Sequence, residues 1–261
     1  MQDLLSTLNP EQRRAVETTE GPLLVLAGAG SGKTRVITFR IAHLLAKGVA
    51  PEQILAVTFT NKAAREMRER VAQLVGKERA LRIFCGTFHS FCMELLRQYG
   101  EALEISKRFT ISDTSDQVSI LRSALREISV GDVQLQPNVV QSRISLLKNK
   151  LVETDTFLDS AKDDEDELIG KAWRRYDEAL RKSRSMDFDD LLLFALRLLR
   201  LKDGPIQSIR ERFHYILVDE YQDTNAPQYE IVRQVAGERR NLCVVGDDDQ
   251  SIYGWRGADV A

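Results

Sequence analysis

The chain has little cysteine. Cys85, Cys92 and Cys243 are odd in number, scattered, and without Cys-x-x-Cys spacing. Neither a disulfide framework nor a zinc site is expected from them, and a reducing cytosol is the compartment that fits. Long apolar runs are also missing. None approaches the roughly 20 residues that span a bilayer, so no membrane association is expected. The opening stretch MQDLLSTLNPEQRR lacks the cationic-then-apolar order of a secretory signal. Positive charge is not in excess: 37 Lys and Arg stand against 39 Asp and Glu, a net charge of −2. That balance speaks against a generic nucleic-acid binder with a basic face. What remains is globular in character, with 43% hydrophobic and 29% charged residues among 261. The length suits one large or two modest domains.

Charge is nevertheless uneven along the chain. Lys62, Arg65, Arg68 and Arg70 cluster on one predicted helix, and a second basic group comprises Lys171, Arg174, Arg175, Arg181, Lys182 and Arg184. Acid gathers in DDEDE, Asp163 to Glu167. Solvated helix faces account for most such runs.

Short apolar runs occur at LLVLAG (23–28), ILAVTFT (54–60), LRIFCGTF (81–88), YILVDEY (215–221) and LCVVGD (242–247). Each has strand length and is apolar on both faces, as buried parallel strands are. Helical patterns lie between the first three, over Lys33–Lys47 and Asn61–Val75. Strand–helix–strand alternation predicts right-handed crossovers and a doubly wound parallel sheet of the α/β class. From about Phe91 to Ile209 strand signal is almost gone. Amphipathic helical patterns replace it, at Asp116–Ile128, Val139–Lys150, Glu167–Arg184 and Phe188–Leu201. Strands resume at Tyr215. The simplest organisation is an α/β domain made of residues 1–90 and 207–261, with an all-helical domain, 91–206, inserted into it. Three consecutive domains would leave the last two strands without a sheet.

AGAGSGKT (27–34) follows a predicted strand and opens a predicted helix. It matches the phosphate-binding loop Gly-x4-Gly-Lys-Thr, with Ala27 in place of the first glycine. Small residues (Ala27, Gly28, Ala29, Gly30) let backbone approach a triphosphate closely. The N–H groups of Gly30, Ser31, Gly32 and Lys33 can then point at phosphate oxygens beside the positive end of a helix dipole. Lys33 would reach the β- and γ-phosphates, and Thr34 would offer its hydroxyl to Mg²⁺. YILVDEY supplies Asp219 and Glu220 at the end of an apolar strand. Core strands seldom hold unpaired charge. Asp219 fits a Mg²⁺ ligand, and Glu220 fits a general base that takes a proton from attacking water. Loop and acids together predict hydrolysis of ATP.

The segments LNPEQ (8–12), AGAGSGKTR (27–35), VTFTNKAAREM (57–67), GTFHSF (86–91), DFDDLL (187–192), LVDEYQDTN (217–225) and VVGDDDQSIYGWRGA (244–258) run through the whole chain in order. They resemble the successive motifs of the UvrD/Rep/PcrA helicases of superfamily 1. The resemblance implies a P-loop NTPase fold of the RecA-like kind, here the first such domain with its helical insertion. It also implies an ATP-driven, 3′-to-5′ DNA translocase and helicase in the bacterial cytosol or nucleoid. Its partners would be single-stranded DNA, single/double-strand junctions, repair or replication proteins, and a second RecA-like domain, which this chain is not expected to contain.

Residue roles follow by position as the resemblance implies them. Gln12 falls where the family reads the adenine edge, although a glutamine near an amino-terminal helix also reads as a surface residue. Arg35 is similar to a nucleotide-contacting arginine. Gln250 looks like the γ-phosphate sensor, a role suited to an amide that both donates and accepts. Phe59, Tyr253, Trp255 and Arg256 resemble the set that binds single-stranded DNA by stacking and by cationic contact. Phe59 reads equally as a core aromatic at a strand end. Asn61 and Thr87 are candidate donors to the DNA backbone, and His89 reads more readily as a structural residue. A different class of function, a non-catalytic interaction module that keeps the motor fold, is disfavoured by the presence of Lys33, Thr34, Asp219, Glu220 and Gln250 together.

Overall fold

The computed structural model describes residues 5–28, 30–128 and 135–247. In chain order the first elements are α1 (Pro10–Glu17), β1 (Leu23–Leu26), α2 (Lys33–Ala46), β2 (Ile54–Thr58), α3 (Asn61–Val75), α4 (Lys77–Arg82), β3 (Phe84–Thr87) and α5 (Phe88–Tyr99). Then come β4 (Thr110–Ile111), α6 (Thr114–Ile128), α7 (Pro137–Asn149), α8 (Thr154–Asp159), α9 (Asp164–Lys182), β5 (Ser185–Met186) and α10 (Phe188–Arg200). The last are α11 (Ile206–Arg212), β6 (Tyr215–Val218), α12 (Ala226–Ala236) and β7 (Leu242–Gly246). The described residues fall into two compact units. One comprises those up to Phe91, Leu199–Thr224 and those from Gln228 onward; the other comprises Cys92–Leu198 with Asn225–Pro227.

The first unit is built on a five-stranded sheet in the order β1-β7-β6-β2-β3. Every neighbouring pair is parallel, so the expected parallel α/β sheet is present. Alternation along the strands sends side chains to both faces. On one face Ala56, Cys85, Leu217, Cys243 and Val245 pack with Ile37, Ile41 and Leu44 of α2 and Met67 and Val71 of α3. On the other, Leu55, Val57, Ile216, Val218 and Val244 are buried as well. β1 is different: Leu24 and Leu26 are 57% and 58% exposed.

One strand differs from its expected span. The run read as a strand over 81–88 is helical up to Arg82 and extended only over Phe84–Thr87. KERALR is made of good helix formers. Leu81 is exposed while Ala80 faces the core, so leucine here did not mark an inward position.

The second unit packs α6, α7, α8 and α9 around Leu121, Leu125, Val140, Ile144, Phe157, Ile169, Trp173, Tyr176 and Leu180. The buried α9 residues Ile169, Trp173, Tyr176 and Leu180 recur at helical spacing. The acidic run has a structural use. Asp163 caps α9 by accepting the Asp166 N–H, Asp164 to Glu167 occupy the first turn, and Arg181 and Lys182 the last. Those signs complement the helix dipole. Three of the basic residues on α9 are ion-paired at the surface: Lys171 with Glu167, Arg174 with Asp155 and Arg175 with Glu178. β4 and β5 form a short parallel pair that the sequence did not announce, because two residues carry no periodicity.

A buried charge cluster sits in this unit. Lys148 Nζ lies 2.7 Å from Asp187 Oδ2 and 2.7 Å from Asp190 Oδ1, and 3.9 Å from Asp177. Tyr176 donates to Asp187 at 2.8 Å. Asp187 also accepts the Asp190 N–H, which caps α10. Burial alone would discharge Lys148, but Asp190, Asp187 and Asp177 outweigh it and hold the ammonium well above its ordinary range. Asp177 is pushed up to about 6 by burial, against the pull of Lys148.

Candidate functional site

The carboxyl ends of β1, β7, β6, β2 and β3 all open on one edge of the sheet, because the strands are parallel. In open α/β sheets that edge is where ligands bind. Loop 27–32 leaves β1 and turns into α2 at Lys33. Its backbone is fixed by Ala27 N–H donating to Gly246 O at 3.0 Å and by the Ser31 hydroxyl donating to Gly28 O at 2.6 Å. Gly32 has φ 88°, and a Cβ there would lie 2.8 Å from Gln12 Nε2, so glycine is required by backbone and by space. No side chain caps α2, and its first turn holds no acid. The free N–H groups of that turn suit an anion.

Lys33 Nζ is 2.9 Å from Asp247 Oδ2, with its side chain 10% exposed. Asp219 is buried at the end of β6. Burial, with Glu220 beside it, pushes its carboxyl up to about 6. A buried carboxylate short of positive charge fits a ligand for a divalent cation. Thr34, half-buried, stands next to Lys33 in the first turn of α2. Glu220 adopts φ 53°, a left-handed conformation rare outside glycine. Its N–H donates to Asp219 Oδ1 at 3.1 Å.

Gln12 is engaged at both ends of its amide. Its Oε1 accepts the Asn9 N–H in the capping box of α1, and its Nε2 donates to Ser31 O at 2.8 Å. α1 is held in turn by Arg40, whose buried guanidinium donates to the carbonyls of Ala15, Thr18 and Thr19. Arg35 reaches back to Thr7, donating to its hydroxyl at 2.7 Å and its carbonyl at 2.9 Å.

At the ends of β2 and β3 stand three further expected residues. Phe59 is half-buried and packs edge-on against Phe88, centroids 5.6 Å apart. Its ring is packed on Phe88 and part of its surface remains accessible. Asn61 is exposed in the first turn of α3, after the Thr60 cap. Thr87 is buried, and its hydroxyl oxygen accepts the Ser90 N–H at 3.2 Å. Lys62, Arg65, Arg68 and Arg70 are all exposed on α3. His89 is half-buried. Ala29, Gln250, Tyr253, Trp255 and Arg256 lie outside the described residues.

Comparison with known proteins decides the family. The model of the UvrD/REP helicase N-terminal domain matches residues 8–261. The chain belongs to the UvrD/REP helicase family. It is similar to a protein named ATP-dependent DNA helicase PcrA in Bacillus subtilis, 48% identical over 98% of this chain and 35% of the relative. Proteins of the same name in Staphylococcus epidermidis and Staphylococcus aureus are 45% and 46% identical over 100% of this chain and 36% of their own length. The chain thus spans about a third of the relatives it matches. Among the described residues no helix is long and apolar enough to cross a membrane.

Two side chains of this UvrD/REP chain sit in the same cluster without having been singled out in the sequence. They are Asp247, on Lys33, and Gln222, whose Nε2 donates to Glu220 Oε2 at 2.8 Å. Both lie inside stretches that were read as motifs, LVDEYQDTN and VVGDDDQ. The signal was polarity directly after an apolar strand, the same that marked Asp219.

Proposed function

We propose that this chain is the amino-terminal, ATP-binding part of an ATP-dependent DNA helicase that moves 3′ to 5′ on single-stranded DNA. The reading is carried by an uncapped phosphate loop with Lys33 after β1, and Asp219 and Glu220 after β6, at the carboxyl ends of the two parallel strands that flank β7. Residues 1–90 and 207–261 serve as the motor domain, and 91–206 as an inserted helical domain. A second RecA-like domain closes on the nucleotide and supplies arginines.

In this reading the N–H groups of Gly28, Gly30, Ser31, Gly32 and Lys33 take phosphate oxygens, beside the small residues Ala27 and Ala29. Lys33 exchanges Asp247 for the β- and γ-phosphates. Gln12 and Arg35 exchange their bonds to Ser31 and Thr7 for contacts to the base and nucleotide. Thr34 and Asp219 would hold Mg²⁺, which neutralises charge on the phosphates when bound. Glu220 accepts the proton of the attacking water as its oxygen bonds to the γ-phosphorus and the bond to the ADP oxygen breaks. Gln250 senses the γ-phosphate. Phe59, Tyr253, Trp255 and Arg256 stack and clamp single-stranded DNA, and Asn61 and Thr87 donate to its backbone. Junction DNA and repair or replication proteins are the partners, in the cytoplasm.

Lys33→Ala and Glu220→Gln in the full-length protein test this reading. The first should weaken nucleotide binding and abolish turnover. The second should bind ATP yet lose about a hundredfold or more in DNA-stimulated hydrolysis, read in a steady-state ATPase assay. Normal turnover by the glutamine variant removes Glu220 as general base. Residues 1–261 alone should show almost no DNA-stimulated hydrolysis and no unwinding, because a missing arginine finger costs about 10³- to 10⁵-fold.

A further inference from the structure

Gln222 sits in the short turn Tyr221–Asp223 directly after Glu220 and is buried. Its amide is used in two directions. Nε2 donates to Glu220 Oε2 at 2.8 Å. Oε1 accepts the Asp247 backbone N–H at 3.0 Å. Asp247 is the first residue after β7, and its carboxylate holds Lys33. One rigid amide therefore joins the acid at the end of β6 to the backbone at the end of β7. An amide side chain offers a donor and an acceptor at fixed spacing. A carboxylate could only accept, and would repel Glu220. The fit is close: a Cβ on Gly246 would stand 3.0 Å from Gln222 Oε1 and 3.4 Å from Gln222 N.

We propose that Gln222 is a positioning residue that couples the chain following β7 to the orientation of the Glu220 carboxylate, and so couples DNA engagement to hydrolysis. The inference rests on Glu220 being the general base. The sequence after Asp247 carries Gln250, Tyr253, Trp255 and Arg256, assigned above to the γ-phosphate and to DNA. A displacement of the Asp247 peptide can reach Glu220 through the Gln222 side chain.

The test uses two variants of the full-length protein. Gln222→Met keeps the shape and removes both hydrogen bonds. Gln222→Glu keeps the acceptor for Asp247, removes the donor to Glu220, and retains polarity if the methionine variant fails to fold. ATPase rates with and without oligothymidylate, the KM for ATP, and the melting temperature are measured. In both variants kcat with DNA should fall roughly ten- to a hundredfold, and the ratio of DNA-stimulated to unstimulated rate should fall with it. The KM for ATP should stay within about threefold, since binding shared equally by ground and transition state is untouched. An unchanged stimulation ratio in a folded variant overturns the proposal, as does a rise in KM with kcat kept. If the parent shows no DNA-stimulated turnover, or Glu220→Gln hydrolyses normally, the underlying reading of the site fails first, and that is seen without any change at Gln222.

Discussion

Each unit of this chain places a lysine among carboxylates, and the two are held in opposite ways. Lys148 has a side chain 2% exposed and contacts Asp187, Asp190 and Asp177. Its charge is surrounded, and nothing is left for a ligand to do. Among the described residues Lys33 is ion-paired with one carboxylate, Asp247, and its side chain is 10% exposed, beside a helix end that no side chain of those residues caps. A lysine that only supports a fold is saturated by its neighbours. A lysine able to receive an anion is parked on a single partner that the anion can replace. The carboxylates show the same contrast. Asp187 caps a helix and accepts from Tyr176, whereas Asp219 is raised to about 6 by burial and by the like charge of Glu220.

The comparison breaks or holds on stability measurements. Lys148→Met strands buried carboxylates and should cost about 3–5 kcal/mol, enough to unfold the second unit under mild urea. Lys33→Met should cost clearly less, roughly 1–2 kcal/mol. Urea unfolding followed by circular dichroism would measure both, and equal losses would erase the distinction between a saturated and a parked lysine.

Next in size is Asp219→Asn, which should stabilise the protein while removing the proposed Mg²⁺ ligand. A carboxyl raised to about 6 binds a proton in the folded state that the unfolded chain, near pH 4 in its carboxylates, releases. The folded state thus holds more protons between about pH 4 and 6, and stability rises as pH falls through that window. At pH 7 the asparagine variant should gain about 2–3 kcal/mol at most, fading toward pH 4. Melting temperatures of both proteins from pH 4 to 8 would show it; a gain that does not shrink on acidification would point to packing instead. The smallest effect belongs to the solvated pairs. Removing Arg175 from Glu178, both half-exposed or more, should change stability by less than about 0.5 kcal/mol, and a larger loss would mean that surface charge on α9 does more than solvate it.

Much of the site was legible because its chemistry is local. Loop 27–34 and the acids after YILV announce themselves by contrast with the apolar strand that precedes each. β2, β6 and β7 were legible because burial on both faces leaves continuous apolar runs, and β1 carries such a run although Leu24 and Leu26 are exposed. What stayed hidden depends on contacts between distant segments. Nothing in the sequence pairs Lys148 with Asp187, which was noted only as part of DFDDLL, until α7 and α10 are brought together. Arg40 lies in a helix whose pattern does not reveal that it collects three carbonyls. Gln222 and Asp247 are joined only because β6 and β7 are neighbours. The start of β3 was misplaced because Leu81 is an exposed leucine, and hydrophobicity alone does not say which way a residue faces.

The order of the sheet also dictates when the phosphate loop can exist. β1 is made early, yet among the described residues its one strand partner is β7. The Gly21–Asn241 hydrogen bond just outside that pairing spans 220 residues. On a ribosome adding about 5–20 residues per second, β7 follows β1 by roughly ten to forty seconds. Through that interval β2 and β3 can pair and the helical unit can close, while β1, which leads into the loop before Lys33, waits without its strand partner. The contact that shapes the loop is therefore acquired late in synthesis, and a nascent chain stalled before Leu242 carries the complete 27–34 sequence without the strand that holds it.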